Sequence, residues 1–173
     1  MHTMSRLVKP LYYLEIARAV SQRSTCMKKH WGAVIVKNDE VIATGYNGAP
    51  RGWVNCVENG NCPRMNMPRG TNYDICTAVH AEINAMLSAS RRDMLHATMY
   101  IYGYDVTTGQ LVSKPDSCTA CKRTIINSGI DEIIFADKEG IGRFLDDIGY
   151  GYRVQKVSEW IKSEPLIMSK EGY

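Results

Sequence analysis

Thr77-Ala78-Val79-His80-Ala81-Glu82-Ile83-Asn84-Ala85-Met86-Leu87 is the stretch from which the rest of the chain can be read. His80 and Glu82 stand two residues apart, and Ile83, Met86 and Leu87 follow at helical spacing. Downstream, Ser117-Cys118-Thr119-Ala120-Cys121 opens a second helix-like run, with Ser117 as its expected cap. One histidine and a C-x-x-C pair make three donors of the kind zinc takes, and a catalytic zinc keeps three protein ligands and one open position. Two thiolates and a neutral imidazole balance the charge of the dication. Glu82 is left over, a carboxylate able to take a proton from water and return it to a leaving group. With both pieces at helix N-termini, the peptide dipole favours thiolate and hydroxide.

Alone, H-x-E is a chance pairing, and C-x-x-C divides among redox, zinc and no chemistry at all. A structural zinc is more often closed by four Cys or His ligands. Together, and each opening a helix, the two pieces point to an open metal centre with His80, Cys118 and Cys121 as ligands and Glu82 as general acid/base.

Working outward, the H-x-E helix is expected over Ala78–Arg92, with Arg91 and Arg92 at its C-terminal end, where the dipole favours cations. Phosphate recognition is the competing reading of Arg91. Upstream, Gly32–Val36 and Val41–Tyr46 flank the polar turn Lys37–Glu40 and read as a hairpin, preceded by a polar connector over Arg23–Trp31. Asn47 ends that hairpin, either as a turn residue or as an amide aimed at a sugar hydroxyl. Leu7–Val20 has the pattern of an amphipathic packing helix, with Pro10 in its first turn.

After the H-x-E helix come a strand over Ala97–Gly103, a turn-rich link over Asp105–Lys114, a helix from Cys118 through Asn127 ended by Gly129, and a strand over Asp131–Ala136. A short helix over Ile141–Ile148, a fifth strand over Tyr152–Val157 and a short helix from Ser158 complete the pattern. Strand, helix and strand in this rhythm make an α/β unit with a right-handed crossover.

Residues 51–76 are rich in Gly, Pro, Asn and Arg and have little periodicity. A loop of that length inside a compact domain needs an anchor. Cys56, Cys62 and Cys76 bracket it and Cys26 precedes the hairpin, so these four are candidates for a second, structural zinc; ordinary free thiols are the alternative.

A length of 173 residues suits one domain, and 45% hydrophobic with 23% charged residues is ordinary for a globular protein. The net charge of +3 argues against a large nucleic-acid footprint while allowing a local phosphate pocket, for which Lys28, Lys29, Arg51 and Arg91 are candidates. No apolar run is long enough to span a membrane, and the first stretch, carrying Arg6, Lys9 and Glu15, has no secretory h-region. Cytoplasm is therefore the expected compartment, and the six cysteines are expected as metal ligands before disulfides.

The chain closely resembles deoxycytidylate (dCMP) deaminases of the cytidine deaminase superfamily. The resemblance runs roughly from Tyr12 to Val157 and rests on Ser24-Thr25-Cys26, Gly32-Ala33-Val34-Ile35-Val36, Thr44-Gly45-Tyr46-Asn47-Gly48-Ala49-Pro50, Val79–Ala85, Cys118-Thr119-Ala120-Cys121 and Ile125–Ile130. The zinc-deaminase signature H-x-E…P-C-x-x-C is met except at Ser117, which stands where the signature has proline; the nearest proline is Pro115.

The resemblance implies an α/β/α three-layer sandwich with a mixed sheet of about five strands, zinc on His80, Cys118 and Cys121, and proton transfer by Glu82. It implies hydrolytic conversion of dCMP to dUMP, substrate contacts at Asn47 and Ala81, and a homo-oligomer, often a hexamer. Cys26 and Cys56 match positions that bind a second zinc in some relatives. Arg91 stands where relatives respond to dCTP and dTTP, with Mg2+ accompanying the effector. Two other readings are kept: a deaminase of another cytosine nucleotide or a tRNA base, and a catalytically silent zinc- or nucleotide-binding protein. An RNA substrate would ask for a strongly basic surface, which a charge of +3 does not suggest.

Overall fold

The computed structural model describes residues 6–68, 70–141 and 148–163. Helix α1 (Lys9–Ser21) leads into a hairpin of β1 (Lys29–Lys37) and β2 (Glu40–Tyr46). The hairpin turns on Asn38 and Asp39, both at positive φ (51° and 68°), the backbone a tight two-residue turn requires. β1 begins earlier than expected. Lys29, His30 and Trp31 are strand and not connector, because they pair with Asp105, Tyr104 and Gly103 across the sheet.

Among its described residues the long loop carries one short helical turn, α2 (Cys56–Asn59), and a 3-10 turn at Tyr73–Ile75. Then follow α3 (Ala81–Leu87), α4 (Arg91–Met94), β3 (Thr98–Asp105), α5 (Thr119–Ser128), β4 (Glu132–Asp137), β5 (Gly151–Lys156) and α6 (Val157–Lys162). α5 ends at Gly129 (φ 85°), as expected of a left-handed cap. Most of the span expected as a helix over Ile141–Ile148 lies outside the described residues.

The five strands form one mixed sheet in the order β2-β1-β3-β4-β5, parallel only between β3 and β4. The central strands are apolar on both sides, as strands covered on both faces must be. Val34, Tyr100 and Ile134 face α1 with Leu11, Leu14 and Ala17. Ile35, Met99, Ile101, Ile133 and Phe135 face the opposite way and pack with Ala81, Ala85, Cys121, Ile125 and Trp160 of α3, α5 and α6. The result is the expected three-layer α/β/α sandwich.

The expected helix over Ala78–Arg92 is two helices, and it starts later. Val79 is still extended, bridged to Gly48 through Val79 N–H to Gly48 O at 2.7 Å and Gly48 N–H to Val79 O at 3.1 Å, so α3 begins only after His80. It stops at Ser88, and Ser90 caps a new turn by accepting from Asp93 N–H at 3.1 Å. Arg91 and Arg92 therefore open α4. They do not close α3.

α3 lies directly on β2. A methyl added at Gly45 would sit 2.2 Å from Ala85 N and 2.5 Å from Ala81 O, so only glycine admits the helix backbone here. Asn84 Nδ2 ties the same helix to Tyr46 O at 2.7 Å. The substitution Gly45→Ala should cost about 3 kcal/mol by overpacking. Urea unfolding at fixed zinc checks this, and an unchanged midpoint would contradict the packing described.

Candidate active site and metal centre

The two helix starts α3 and α5 meet on the same side of the sheet. His80 is the N-cap of α3, and Cys118 is the N-cap of α5, its Sγ accepting from Cys121 N–H at 3.5 Å. Cys118 fills the cap position for which Ser117 was expected. Ser117 instead turns inward.

His80 Nδ1 lies 3.4 Å from Cys118 Sγ and 3.4 Å from Cys121 Sγ, and the three donor atoms all fall within 4.8 Å of one another. Tetrahedral zinc, with Zn–S of about 2.3 Å and Zn–N of about 2.0 Å, places its donors about 3.5 Å apart. The three side chains thus fit a zinc ion without rearrangement. His80 and Cys118 reach solvent while Cys121 is buried, which leaves the centre one open side.

Without metal, the cluster is already polarised. Hydrogen bonds from the Cys121 thiol and from His80 pull the Cys118 thiol down to about 4 against the cost of its burial. Cys121 is pushed up by the thiolate it serves and by burial, and His80 is pushed up mainly by its bond to Cys118. A bound dication overrides the thiol asymmetry and takes both sulfurs as thiolates.

Glu82 sits in the first turn of α3, 8% exposed. Burial pushes its carboxyl above the usual range, while its own backbone N–H, His80 and Ser117 pull it back. Ser117 Oγ donates to Glu82 Oε1 at 3.0 Å, and Ser117 is itself buried. The Glu82 carboxylate in turn helps to hold the Cys121 thiol up. A proton-accepting group, held dry two residues from His80, is the arrangement that general acid/base chemistry at an activated water needs.

Asn47 is buried and already committed. Its Oδ1 accepts from Ser24 Oγ at 2.7 Å and from Trp31 N–H at 2.8 Å, and its Nδ2 donates to Lys29 O at 2.9 Å. It locks the start of β1 to the turn leading to Gly48, and one amide hydrogen remains for a ligand. Ala81 is fully buried under β2.

The candidate cations are dispersed. Lys28 Nζ holds Arg64 O at 2.8 Å, Arg51 is exposed in the turn after β2, and Arg91 Nε donates to Asn127 O at 3.1 Å in the last turn of α5. Arg91 does serve a helix C-terminus, though that of α5. Arg64, buried and stacked 3.9 Å over Tyr73, was not picked out from the sequence; nothing in the local pattern marks one arginine of a loop as interior.

The four remaining cysteines, all free thiols, are gathered around the loop. Cys56 feels Cys62, Cys26 and Cys76 as neighbours, and with burial they push its thiol up. Among the described residues, however, the one group of three or more such side chains with donor atoms all within 4.8 Å of one another is His80, Cys118 and Cys121.

Residues 8–137 match the protein family described as the cytidine and deoxycytidylate deaminase zinc-binding region. The chain belongs to this family. It is 38% identical to the deoxycytidylate deaminase of Saccharomyces cerevisiae over 137 residues, 77% of this chain and 40% of the yeast protein, so it spans about two-fifths of that relative. It is also 38% identical to the deoxycytidylate deaminase of Mycobacterium phage D29 over 139 residues, 76% of this chain and 97% of the phage protein. In fold it is similar to the apo dCMP deaminase of cyanophage S-TIM5, with a TM-score of 0.52 at 23% identity over 74% of this chain and 82% of the other. For this member of the family, the metal-free thiols give a direct check. At pH 6 an ordinary thiol is under about 1% ionised, whereas one drawn well below the usual thiol range carries far more thiolate. Zinc-stripped protein should therefore be alkylated by iodoacetamide at Cys118 well before the other five cysteines, and zinc should protect it. Equal labelling of all six would contradict the polarised cluster.

Proposed function

We propose that the chain is a zinc-dependent hydrolase that converts dCMP and water to dUMP and ammonia. The observation that carries this reading is the placement of a buried Glu82 against a three-donor centre with one open side. His80, Cys118 and Cys121 hold the metal. Bound zinc supplies the Lewis acid that makes water a nucleophile near neutral pH. Glu82 accepts the proton released as water adds to C4 of the cytosine ring. It delivers that proton to ring N3, then takes the second proton of the water from the new C4 hydroxyl and passes it to the exocyclic amine, which leaves as ammonia as the C4 carbonyl forms. The remaining amide hydrogen of Asn47 is available to the sugar.

The relatives support the choice of dCMP among cytosine compounds, since both curated proteins above carry the name deoxycytidylate deaminase. The reading carries a cytoplasmic placement with it, because thiolate ligands are kept reduced there. It also carries a homo-oligomer: Trp53, Val54 and Val57 expose an apolar patch on the long loop, 63%, 68% and 58% accessible in the single chain. Response to dCTP with Mg2+, or to dTTP, is the regulatory part of the reading, with Arg91 as the residue to vary. In zinc-loaded protein, Glu82→Gln should lower kcat on dCMP by about 1000-fold while zinc content is kept. Ammonia release from dCMP, dCTP, deoxycytidine and CMP checks both parts. Retained turnover in the variant removes Glu82 from the mechanism, and preference for another substrate moves the assignment within the family.

The second part of the proposal is a structural zinc on Cys26, Cys56, Cys62 and Cys76, supported by their convergence on Cys56. Four thiols from three separated segments would close the loop over residues 51–76 as one ion draws them together. Metal analysis should then find two zinc per chain, falling to one in Cys62→Ser with deaminase activity per folded chain little changed. One zinc per chain, in protein whose catalytic ligands are intact, would contradict it.

A further inference from the structure

We propose that Ser117 is a positioning residue for Glu82, fixing which carboxylate oxygen carries the mobile proton; this rests on the deamination reading above. The hydroxyl of Ser117 donates to Glu82 Oε1 at 3.0 Å, and both side chains are buried, 4% and 8% exposed. A hydroxyl proton committed to Oε1 makes the two oxygens unequal and favours Oε2 for taking a proton from water and passing it to the ring. It also holds the carboxylate plane against rotation, which a side chain with three torsions does not do unaided. The family signature has proline at this place, and proline has no side-chain donor. A chain with the signature proline at this place could not make this contact.

The segment that carries Ser117 is braced. Ser117 N–H donates to Asp116 Oδ1 at 2.9 Å, and Asp116 Oδ2 pairs with Lys122 Nζ at 2.5 Å, one turn into α5. Lys122 in turn lies 5.1 Å over the ring of Trp160. One residue further back, the Pro115 carbonyl accepts from the Arg153 guanidinium, reaching in from β5. The hydroxyl is thus presented from a backbone fixed at three points, with Cys118 next in the chain. A donor held this firmly orients its acceptor, and outer partners of catalytic groups commonly change rates by about 10-fold or more when removed.

The test compares wild type with Ser117→Ala and Ser117→Thr, all loaded with zinc. In Ser117→Ala, zinc content and KM for dCMP should be unchanged, while kcat falls about 10-fold; Ser117→Thr, which keeps the hydroxyl, should recover most of that loss. A kcat equal to wild type in Ser117→Ala, or a loss that threonine does not recover, would overturn the proposal. Crystal structures of the zinc-loaded wild type and Ser117→Ala supply a readout independent of turnover. Glu82 should hold one orientation in the first and rotate or split in the second. An unmoved single conformer in Ser117→Ala overturns the positioning role. If wild type releases no ammonia from dCMP, the deamination reading fails, and the structures still decide what Ser117 does to Glu82.

Discussion

The site depends on a backbone bridge between Gly48 and Val79. That pair holds the chain extended up to His80, so that the helix can begin only at Ala81. His80 then sits as a cap, with its ring free of the helix face, and Glu82 falls in the first turn pointing inward. A helix begun before His80 would carry the imidazole on the helix surface and lose the extended cap geometry that sets it beside the cysteines. The bridge is in turn held by Asn47, whose amide gathers Ser24, Lys29 and Trp31, and by Gly45, which lets α3 touch β2. The turn Tyr46-Asn47-Gly48 therefore positions the His80, Cys118 and Cys121 cluster through the backbone.

The electrostatics follow from that placement. Two helix starts aim their positive ends at one point, and two thiols, one imidazole and one carboxylate crowd around it. Burial alone would keep Glu82 protonated and useless as a base; His80, the Ser117 hydroxyl and its own backbone N–H return part of its acidity. The thiols share a proton until a cation takes both. Cys118 is drawn toward the thiolate that a metal takes, while Cys121 and His80 are held protonated until a cation displaces their protons.

The reach of the sequence can be judged from particular residues. His80, Glu82, Cys118 and Cys121 were legible because their chemistry restricts residue type and spacing, and the strands were legible because central strands of a covered sheet are continuously apolar. The end of α3 was not legible: Ala78–Arg92 has unbroken helical character, and only the Val79 bridge and the Ser90 cap, both tertiary or conformational choices, divide it. Arg91 was placed at the right kind of site, a helix C-terminus, but on the wrong helix, since its partner Asn127 is distant in sequence. Ser117 was seen as a departure from a motif and taken for a cap. Its contact with Glu82 spans 35 residues and could not be read locally. The grouping of four cysteines around the long loop was suggested by their number, while their separation is a matter of three-dimensional structure.

The central claim is that one zinc on His80, Cys118 and Cys121 and one carboxylate carry out the reaction. Its most direct test is the initial rate of ammonia release from dCMP as zinc occupancy of the His80 centre is titrated from zero to full, read against metal bound per chain. The rate should be zero without zinc and should rise in proportion to occupancy of that centre. Full turnover in zinc-free protein, or none at full occupancy, would contradict it.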